Sequence, residues 1–396
     1  MKLRVLIIHP YDQGEIEFPS FGGTRLISDQ KKVLKKLGYR TELLSIQEIR
    51  GFVPLFLKLR GSHRTIAREE LHARKNRWLF NLLYILFIHF LNRCDFIFSR
   101  SLRKCLNREP AGAILCNYPI LAEGISKIAH QFNVPVLLYE HNIEWEFFND
   151  ALIKNQFTGL LIQLLKNIEL KAAKKAKHVV CVAADDKKML VGEGIPSDKV
   201  DVWVPFLLSK PSTKSFHEKK DKFMIGFIGS NFEPNIESVE TILKIARKMQ
   251  KTESNVHFLI IGSIKKAFED QNIPENVTFT GFVKDIDSCL ELCDAFINPK
   301  FTSEAGIEIK MLDYLRAGKP IITTKLGIRG FPLKHLESCI VENNLRKYDY
   351  WIVRLVEDEK LRRKIVLNIN EFVNICIKDT RRTFYEIMKK DQSYPR

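Results

Sequence analysis

No two cysteines form a CxxC pair, the mark of a zinc ribbon or a dithiol redox motif. Cys94, Cys105, Cys116, Cys181, Cys289, Cys293, Cys339 and Cys376 are scattered through mostly apolar stretches, and Cys289 and Cys293 lack the companions a metal site needs. The pattern points to buried free thiols in a reducing compartment and to no bound metal. Long uninterrupted apolar runs are lacking as well. The opening Met1 to Pro10 is too short in its apolar run for a secretory leader and reads as a first β-strand, so the cytoplasm is the expected location. Trp78 to Phe98 is rich in Leu, Ile and Phe but is broken by Asn81, His89, Asn92 and Asp95, whereas a spanning helix needs about 20 mostly apolar residues. Two readings of this segment stay open. With the basic stretch Arg60 to Arg77 it is an in-plane contact with an anionic membrane, peripheral on the inner face; alone it is a cover for the first domain's core.

Acidic charge is in deficit: 63 Lys and Arg stand against 47 Asp and Glu, a formal net charge of +16. Such a field attracts nucleic acid, phosphorylated metabolites or an anionic membrane. No RNA-binding or zinc-finger signature is present, so nucleic acid is not an expected partner. Hydrophobic content of 45% and charged content of 28% describe a folded chain, and 396 residues suffice for two cores.

What is present is a repeated strand–turn–helix grammar. Leu3 to Ile8 reads as a strand, Phe21-Gly22-Gly23-Thr24 as a glycine loop, and Leu26, Val33, Leu34 and Leu37 mark a helix that Gly38 stops before the strand Arg40 to Leu44. Strands follow at Ala113 to Cys116, Val134 to Tyr139 and His178 to Ala183, with helices at Ile120 to Phe132 and Ile168 to Lys177. A polar, aperiodic stretch from Leu207 to Lys222 reads as a linker. A second series then begins with Phe223 to Ile228, Gly229-Ser230 and a helix from Pro234. Its further strands are His257 to Ile261, Val277 to Thr280, Ala295 to Asn298, Pro320 to Thr324 and Cys339 to Val341. Alternation of this kind means α/β domains with parallel sheets.

Two segments carry chemistry. Gly22 and Gly23 stand where a βαβ unit presents a helix N-terminus, which suits a phosphate; a turn that merely needs glycine gives the same residues. From Glu304 to Phe331, a helix starting near Gly306 sets Gly306, Lys310 and Asp313 on one face and Ile307, Met311 and Leu315 on the next. A carboxylate suits ribose hydroxyls and a lysine suits phosphate; a Lys–Asp pair on a solvated helix face fits the same spacing. Asp185 and Asp186 resemble a metal pair only superficially and begin a helix. The Lys171 to Lys177 run reads as a solvated helix face, and His89, His130, His178 and His257 as structural histidines.

The Glu304 to Phe331 stretch resembles the donor-site signature of the retaining glycosyltransferases of family 4 (group 1), which have the GT-B fold. Phe21 to Thr24 resembles the first-domain glycine loop of that family, and Tyr139-Glu140-His141-Asn142 its strand end with an active-site histidine. Ile228-Gly229-Ser230 with Pro234-Asn235 is similar to the opening of its second domain, and Thr280-Gly281-Phe282-Val283 to the loop whose backbone meets the base. Gly318-Lys319-Pro320 with Gly327 and Gly330 resembles its closing phosphate loop. The resemblance implies α/β architecture with two facing Rossmann-like domains and an interdomain cleft. Residues 1–206 would be the acceptor-side domain, 207–222 the linker, 223–375 the nucleotide-sugar domain, and 376–396 a helix returning toward the first domain. It implies a metal-independent hexosyltransferase that uses a nucleotide-diphosphate sugar as substrate, needs no cofactor, and serves a glycan or lipid-linked acceptor.

Carried over by position, the catalytic residues are His141, Lys310 and Glu304. The donor-binding set is Gly22, Gly23, Gly229, Ser230, Gly281, Phe282, Val283, Gly306, Ile307, Asp313 and Arg329. There are departures. Ser230 and Asn235 stand where the family commonly keeps an Arg and a Lys for the diphosphate, which shifts that charge to Lys310 first and Arg329 second. Of the family's paired glutamates, Asp313 replaces the second, and Ala305, flanked by Glu304, the first. These losses motivate a rival reading, a non-catalytic nucleotide-binding relative or partner subunit; a sugar-nucleotide epimerase on the same plan is the other.

Overall fold

The computed structural model describes residues 3–10, 22–45, 79–90 apart from 80 and 84, 99–203, 222–252, 255–301 and 307–390. The chain divides into two compact units, one holding most of residues 1–207 with the residues from 380 on, the other most of 208–379. The expected linker lies outside the described residues except for Lys222.

The first unit is built on six parallel strands in the order β2-β1-β3-β4-β5-β6. They are β1 (Arg4–His9), β2 (Arg40–Ser45), β3 (Ala113–Asn117), β4 (Val136–Glu140), β5 (His178–Cys181) and β6 (Val200–Val202). The central strands are buried along their whole length, as a sheet covered on both faces requires. Its helices are α1 (Gly22–Lys36), α2 (Ser99–Arg108), α3 (Pro119–Gln131), α4 (Glu144–Ala151), α5 (Gln156–Lys175) and α6 (Ala184–Gly192). Gly38, at φ 94°, ends the turn after α1 as expected of a helix-stopping glycine. α5 starts twelve residues before the periodicity of Ile168 to Lys177 marks a helix, because Asn155 and Thr158 form a reciprocal capping box at its N-terminus. Lys171 and Lys175 of this helix both pair with Glu123 of α3. Asp185 and Asp186 stand in the first turn of α6, where carboxylates oppose the helix dipole.

The second unit has the order β12-β11-β10-β7-β8-β9, again all parallel. Its strands are β7 (Phe223–Ile228), β8 (Val256–Ile261), β9 (Val277–Gly281), β10 (Ala295–Asn298), β11 (Ile321–Thr323) and β12 (Ile340–Val341). α7 (Glu233–Thr252), α8 (Ile286–Leu292), α9 (Lys310–Ala317), α10 (Tyr348–Glu357) and α11 (Glu359–Lys390) cover it. Phe227, Phe258 and Phe296 are fully buried at its centre. Both units are therefore Rossmann-like α/β layers, each with a strand-order reversal: between β1 and β3 in the first, between β7 and β10 in the second. Ligands of open α/β sheets bind outside the carboxyl ends of the strands at such reversals.

Of the apolar Trp78 to Phe98 segment, the described part between 79 and 90 is helical. Leu82 and Ile88 pack into the core while Leu83, Phe87 and Phe90 are exposed. No described helix is long and apolar enough to cross a membrane.

Candidate active site

At the carboxyl ends of β7 and β10 the second unit assembles a charged cluster. Tyr314 of α9 sets its geometry. Its ring stacks on Phe296 of β10 with centroids 4.4 Å apart and planes at 5°, and its hydroxyl accepts the Ile228 N–H of β7 at 2.9 Å. Such a stack contributes about 0.5–1.5 kcal/mol beyond burial, and here it also ties one helix to both strands at the reversal. Gly229 follows β7; a Cβ there would meet the Phe227 ring at 2.9 Å and Ile264 at 3.1 Å, so the close approach itself requires glycine.

From the first turn of α9, Lys310 reaches back over the Phe227 ring, its Nζ 4.4 Å from the centroid. It donates to Asn235 Oδ1 at 2.6 Å and lies 3.3 Å from Glu308 Oε2. The Asn235 amide donates in turn to Ser230 O at 3.1 Å and Ser230 Oγ at 3.3 Å. Lys300, just past β10, holds the other carboxylate oxygen, Nζ to Glu308 Oε1 at 2.7 Å. Burial alone would raise the Glu308 carboxyl, but Lys310 and Lys300 overcome it and hold it down at about 2. Burial likewise lowers Lys310, with Glu308 opposing. Among the described residues the cluster thus buries one positive charge in excess, an arrangement that costs free energy until an anion joins it.

The expected helix from Gly306 is corrected: α9 begins at Lys310, and Ile307 and Glu308 precede it. No side chain caps this N-terminus; one tight turn precedes it, with Glu308 O and Ile309 O accepting the Met311 and Leu312 N–H groups at 2.9 and 3.0 Å, and the Glu308 side chain pairs with Lys300 at the end of β10. Lys310 and Asp313 do not form a solvated pair either. Asp313 is buried and accepts from Arg316 Nη2 at 3.1 Å, while the Lys310 side chain is 9% exposed. Arg316 also grips Asp287 of α8 through both terminal nitrogens, at 2.9 and 2.6 Å, and this bidentate pair fixes the guanidinium that makes its single bond to Asp313. Met311 and Leu315 face the core as expected. Glu304, Ala305 and Gly306 lie outside the described residues.

Gly281, Phe282, Val283 and Arg329 of the expected donor set end or follow strands of the same sheet. Gly281 ends β9 at φ +74°, followed by an exposed Phe282 and a half-buried Val283. Arg329 is half-buried on the turn after β11. Lys319 has a structural task instead: its ammonium donates to Leu290 O at 3.2 Å and Glu291 O at 2.9 Å, satisfying carbonyls at the C-terminal end of α8.

α1 begins at Gly22-Gly23, the expected glycine pair. His141 follows β4 and is buried. Its Nε2 lies 2.8 Å from Asn117 Oδ1, and its ring stacks on Tyr118 at 4.8 Å. Burial pushes its imidazolium down to about 3. Behind it, Glu169 of α5 accepts the Glu144 and Trp145 N–H groups at 3.1 and 3.3 Å, capping α4 from another helix. Lys300, Glu308, Asn117 and Gln30 were absent from the sequence-based set. For Lys300 and Asn117 one signal existed: each stands at or just past the end of a strand that flanks a reversal. Among the described residues no group of three or more His, Cys, Asp or Glu converges as a metal site, and the seven described cysteines are free thiols.

Residues 57–206 match the family described as Glycosyltransferase Family 4, and residues 222–358 that described as Glycosyl transferases group 1. With one match in each unit, the chain belongs to glycosyltransferase family 4. Solved structures share its two-domain GT-B fold. A sucrose-phosphate synthase from Thermosynechococcus elongatus superposes with a TM-score of 0.67 at 12% identity, over 98% of this chain and 99% of that one. HepE from Anabaena, in complex with UDP and glucose, gives 0.62 at 12% identity over 98% and 100%. Against TarM the TM-score is 0.54 at 16% identity, over 70% of this chain and 54% of TarM, so the chain spans about half of TarM's length. No match is found among curated proteins.

Proposed function

We propose that this glycosyltransferase moves a hexose from a nucleoside-diphosphate sugar to a hydroxyl of a glycan or lipid-linked acceptor, with retention and without a metal ion. The observation that carries the reading is the Lys310 ammonium held at Asn235, with Lys300 sharing the Glu308 carboxylate, at the strand ends where an α/β sheet binds its ligand. The unit of residues 223–375 takes the donor and the unit of residues 1–206 the acceptor.

As the C1–O bond to the β-phosphate breaks, negative charge grows on the diphosphate. Lys310 and Lys300 meet it, aided by the backbone N–H of Ser230, and Arg329 is the next cation in reach of that sheet end. Because these groups are already fixed, they stabilise the leaving group without reorganising during the reaction. The acceptor oxygen bonds to C1 on the face the phosphate leaves, and its proton departs with the phosphate oxygen. Asp313 accepts from the ribose hydroxyls, Gly281, Phe282 and Val283 meet the base, and Glu304, Gly306 and Ile307 line the sugar. His141 stays neutral at working pH, which supports a role as hydrogen-bonding partner of a sugar or acceptor hydroxyl and not as base or nucleophile.

The net charge of +16 and the exposed stripe Leu83, Phe87 and Phe90, repeating at helical spacing, support an acceptor presented at an anionic membrane from the cytoplasmic side. The transfer reading is tested by nucleoside diphosphate release from UDP-, GDP- and ADP-sugars with and without candidate acceptors. Acceptor-dependent release supports it. Release that ignores every acceptor, or stereochemical change of the donor alone, counts against it.

A further inference from the structure

The orientation of one amide is fixed without ambiguity. Asn117, the last residue of β3, points its Nδ2 at the Ile8 carbonyl oxygen of β1, at 3.3 Å. A backbone carbonyl only accepts, so this side of the amide is the NH2 and the other side is Oδ1. Oδ1 has two neighbours: Gln30 Nε2 of α1 at 2.9 Å and His141 Nε2 at 2.8 Å. An oxygen without hydrogen cannot donate to the ring, so the ring nitrogen facing it carries the proton. The neutral imidazole holds one N–H only, which leaves Nδ1 as a bare acceptor. That Nδ1 is buried and accepts no hydrogen bond from any described residue.

The ring has little freedom to turn. Tyr118 stacks on one face at 18° between planes, and Tyr139 meets it edge-on with centroids 5.4 Å apart. Tyr118 is held at φ 87°, where a residue with a side chain rarely sits. Strain of this kind costs on the order of 1–3 kcal/mol and persists where the surroundings impose it. Here it sets the ring that covers His141. All of these groups lie at the carboxyl end of the sheet, beside the β1/β3 reversal.

From this geometry we infer that Asn117 is a positioning residue that locks His141 in the Nε2–H tautomer, so that the site offers Nδ1 as a neutral acceptor for a hydroxyl hydrogen of the sugar or acceptor. Gln30 supports it by filling the second lone pair of the same oxygen. The inference rests on the reading of His141 as a site residue only for what donates to Nδ1; the tautomer itself is a property of the free protein.

Selective nitrogen-15 labelling of histidine in the full chain, read by long-range proton–nitrogen correlation, reports which ring nitrogen is protonated. The His141 signals, assigned by their loss in His141→Gln, are expected to show a single Nε2–H tautomer at neutral pH. Asn117→Asp keeps an acceptor at Nε2 and should keep that tautomer. Asn117→Leu removes the acceptor and should give a mixture. A wild-type Nδ1–H, or a tautomer unmoved in a folded Asn117→Leu, overturns the inference, and if the leucine variant does not fold the wild-type spectrum decides alone. Full transfer activity in His141→Ala would instead overturn the site reading and leave the tautomer as found.

Discussion

Lys310 of α9 places its ammonium 2.6 Å from the side-chain oxygen of Asn235 on α7. The second-domain opening that this stretch resembles keeps a lysine at the Asn235 position. Here the charge reaches the same point from a different helix, and the departures at Ser230 and Asn235 do not leave the sheet end without a cation.

That exchange can be reversed. Lys310→Met is expected to lower kcat by about 10²–10³-fold, the size seen when one preorganised partner of developing charge is removed. Adding Asn235→Lys should restore part of the loss, since the new ammonium starts where the old one ended. Steady-state kinetics on the single and double variants check this, with urea midpoints to confirm folding. A double variant no better than the single one counts against a relocated charge.

Asp313 is expected to bind ribose through a carboxylate that accepts one hydrogen bond from Arg316, itself fixed by Asp287. Hydrogen bonds to a charged group contribute about 1.5–3 kcal/mol, so Asp313→Asn should weaken a nucleoside diphosphate by roughly tenfold or more. A 2′,3′-dideoxy analogue lacks the partner hydroxyls and should bind wild type and variant alike. Calorimetric titration of both nucleotides separates ribose binding from general damage to the site.

Stability of the first unit should fall as pH rises. Burial raises the Glu144 carboxyl from 4.5 to about 7 against a hydrogen bond from Asn142, and it also raises Glu140 and Glu169, whose carboxylates repel one another. The folded state therefore retains protons that the unfolded chain releases above pH ~4.5. Stability is fully present below that value and is lost as pH climbs through about 7, with Glu144 alone accounting for roughly 3 kcal/mol. Glu308 acts in the opposite sense in the second unit: held at about 2, it contributes stability above 4.5 that disappears on acidification. Denaturant midpoints across pH read the slopes, and Glu140→Gln should flatten the alkaline one. An unchanged slope would remove the buried carboxyls as its source.

Leu83, Phe87 and Phe90 should carry membrane contact if the acceptor lies there. Binding to vesicles of mixed neutral and anionic lipid is expected at low salt and should weaken with added salt. Because a buried phenylalanine is worth about 1.5–3 kcal/mol, Phe87→Ser with Phe90→Ser should cut partitioning by at least roughly tenfold. Wild-type protein that stays in solution at low salt contradicts the membrane reading.

Much of the fold was legible in the sequence because parallel strands buried on both faces leave short apolar runs bounded by turn residues. Phe223–Ile228 and Ala295–Asn298 match their expected strands at both ends, the other expected strands shift by one or two residues, and the short Val200–Val202 was not anticipated. α5 was shortened because its capping pair, Asn155 and Thr158, is not the Ser or Thr followed by Glu that marks such a start most clearly. The start of α9 was set too early for a different reason. Helical spacing is a local signal, whereas Glu308 answers to Lys300 across the end of a strand. Lys300 carries no sequence mark of its own; only the strand order makes the end of β10 a ligand position. The same holds for Asn117, whose partners on β1, α1 and the β4 end come together through the sheet alone.

The most direct test of the donor site is a thermal-shift series with UDP, GDP, ADP and CMP on the wild-type chain and on Lys310→Met. A nucleotide at 100 times its dissociation constant adds about 2.7 kcal/mol of stability. One nucleoside diphosphate is expected to raise the midpoint of the wild type clearly, and its effect at the same concentration should shrink or vanish in Lys310→Met. A folded wild-type chain that responds to none of them, or a response that Lys310→Met leaves untouched, would contradict a diphosphate site built on Lys310.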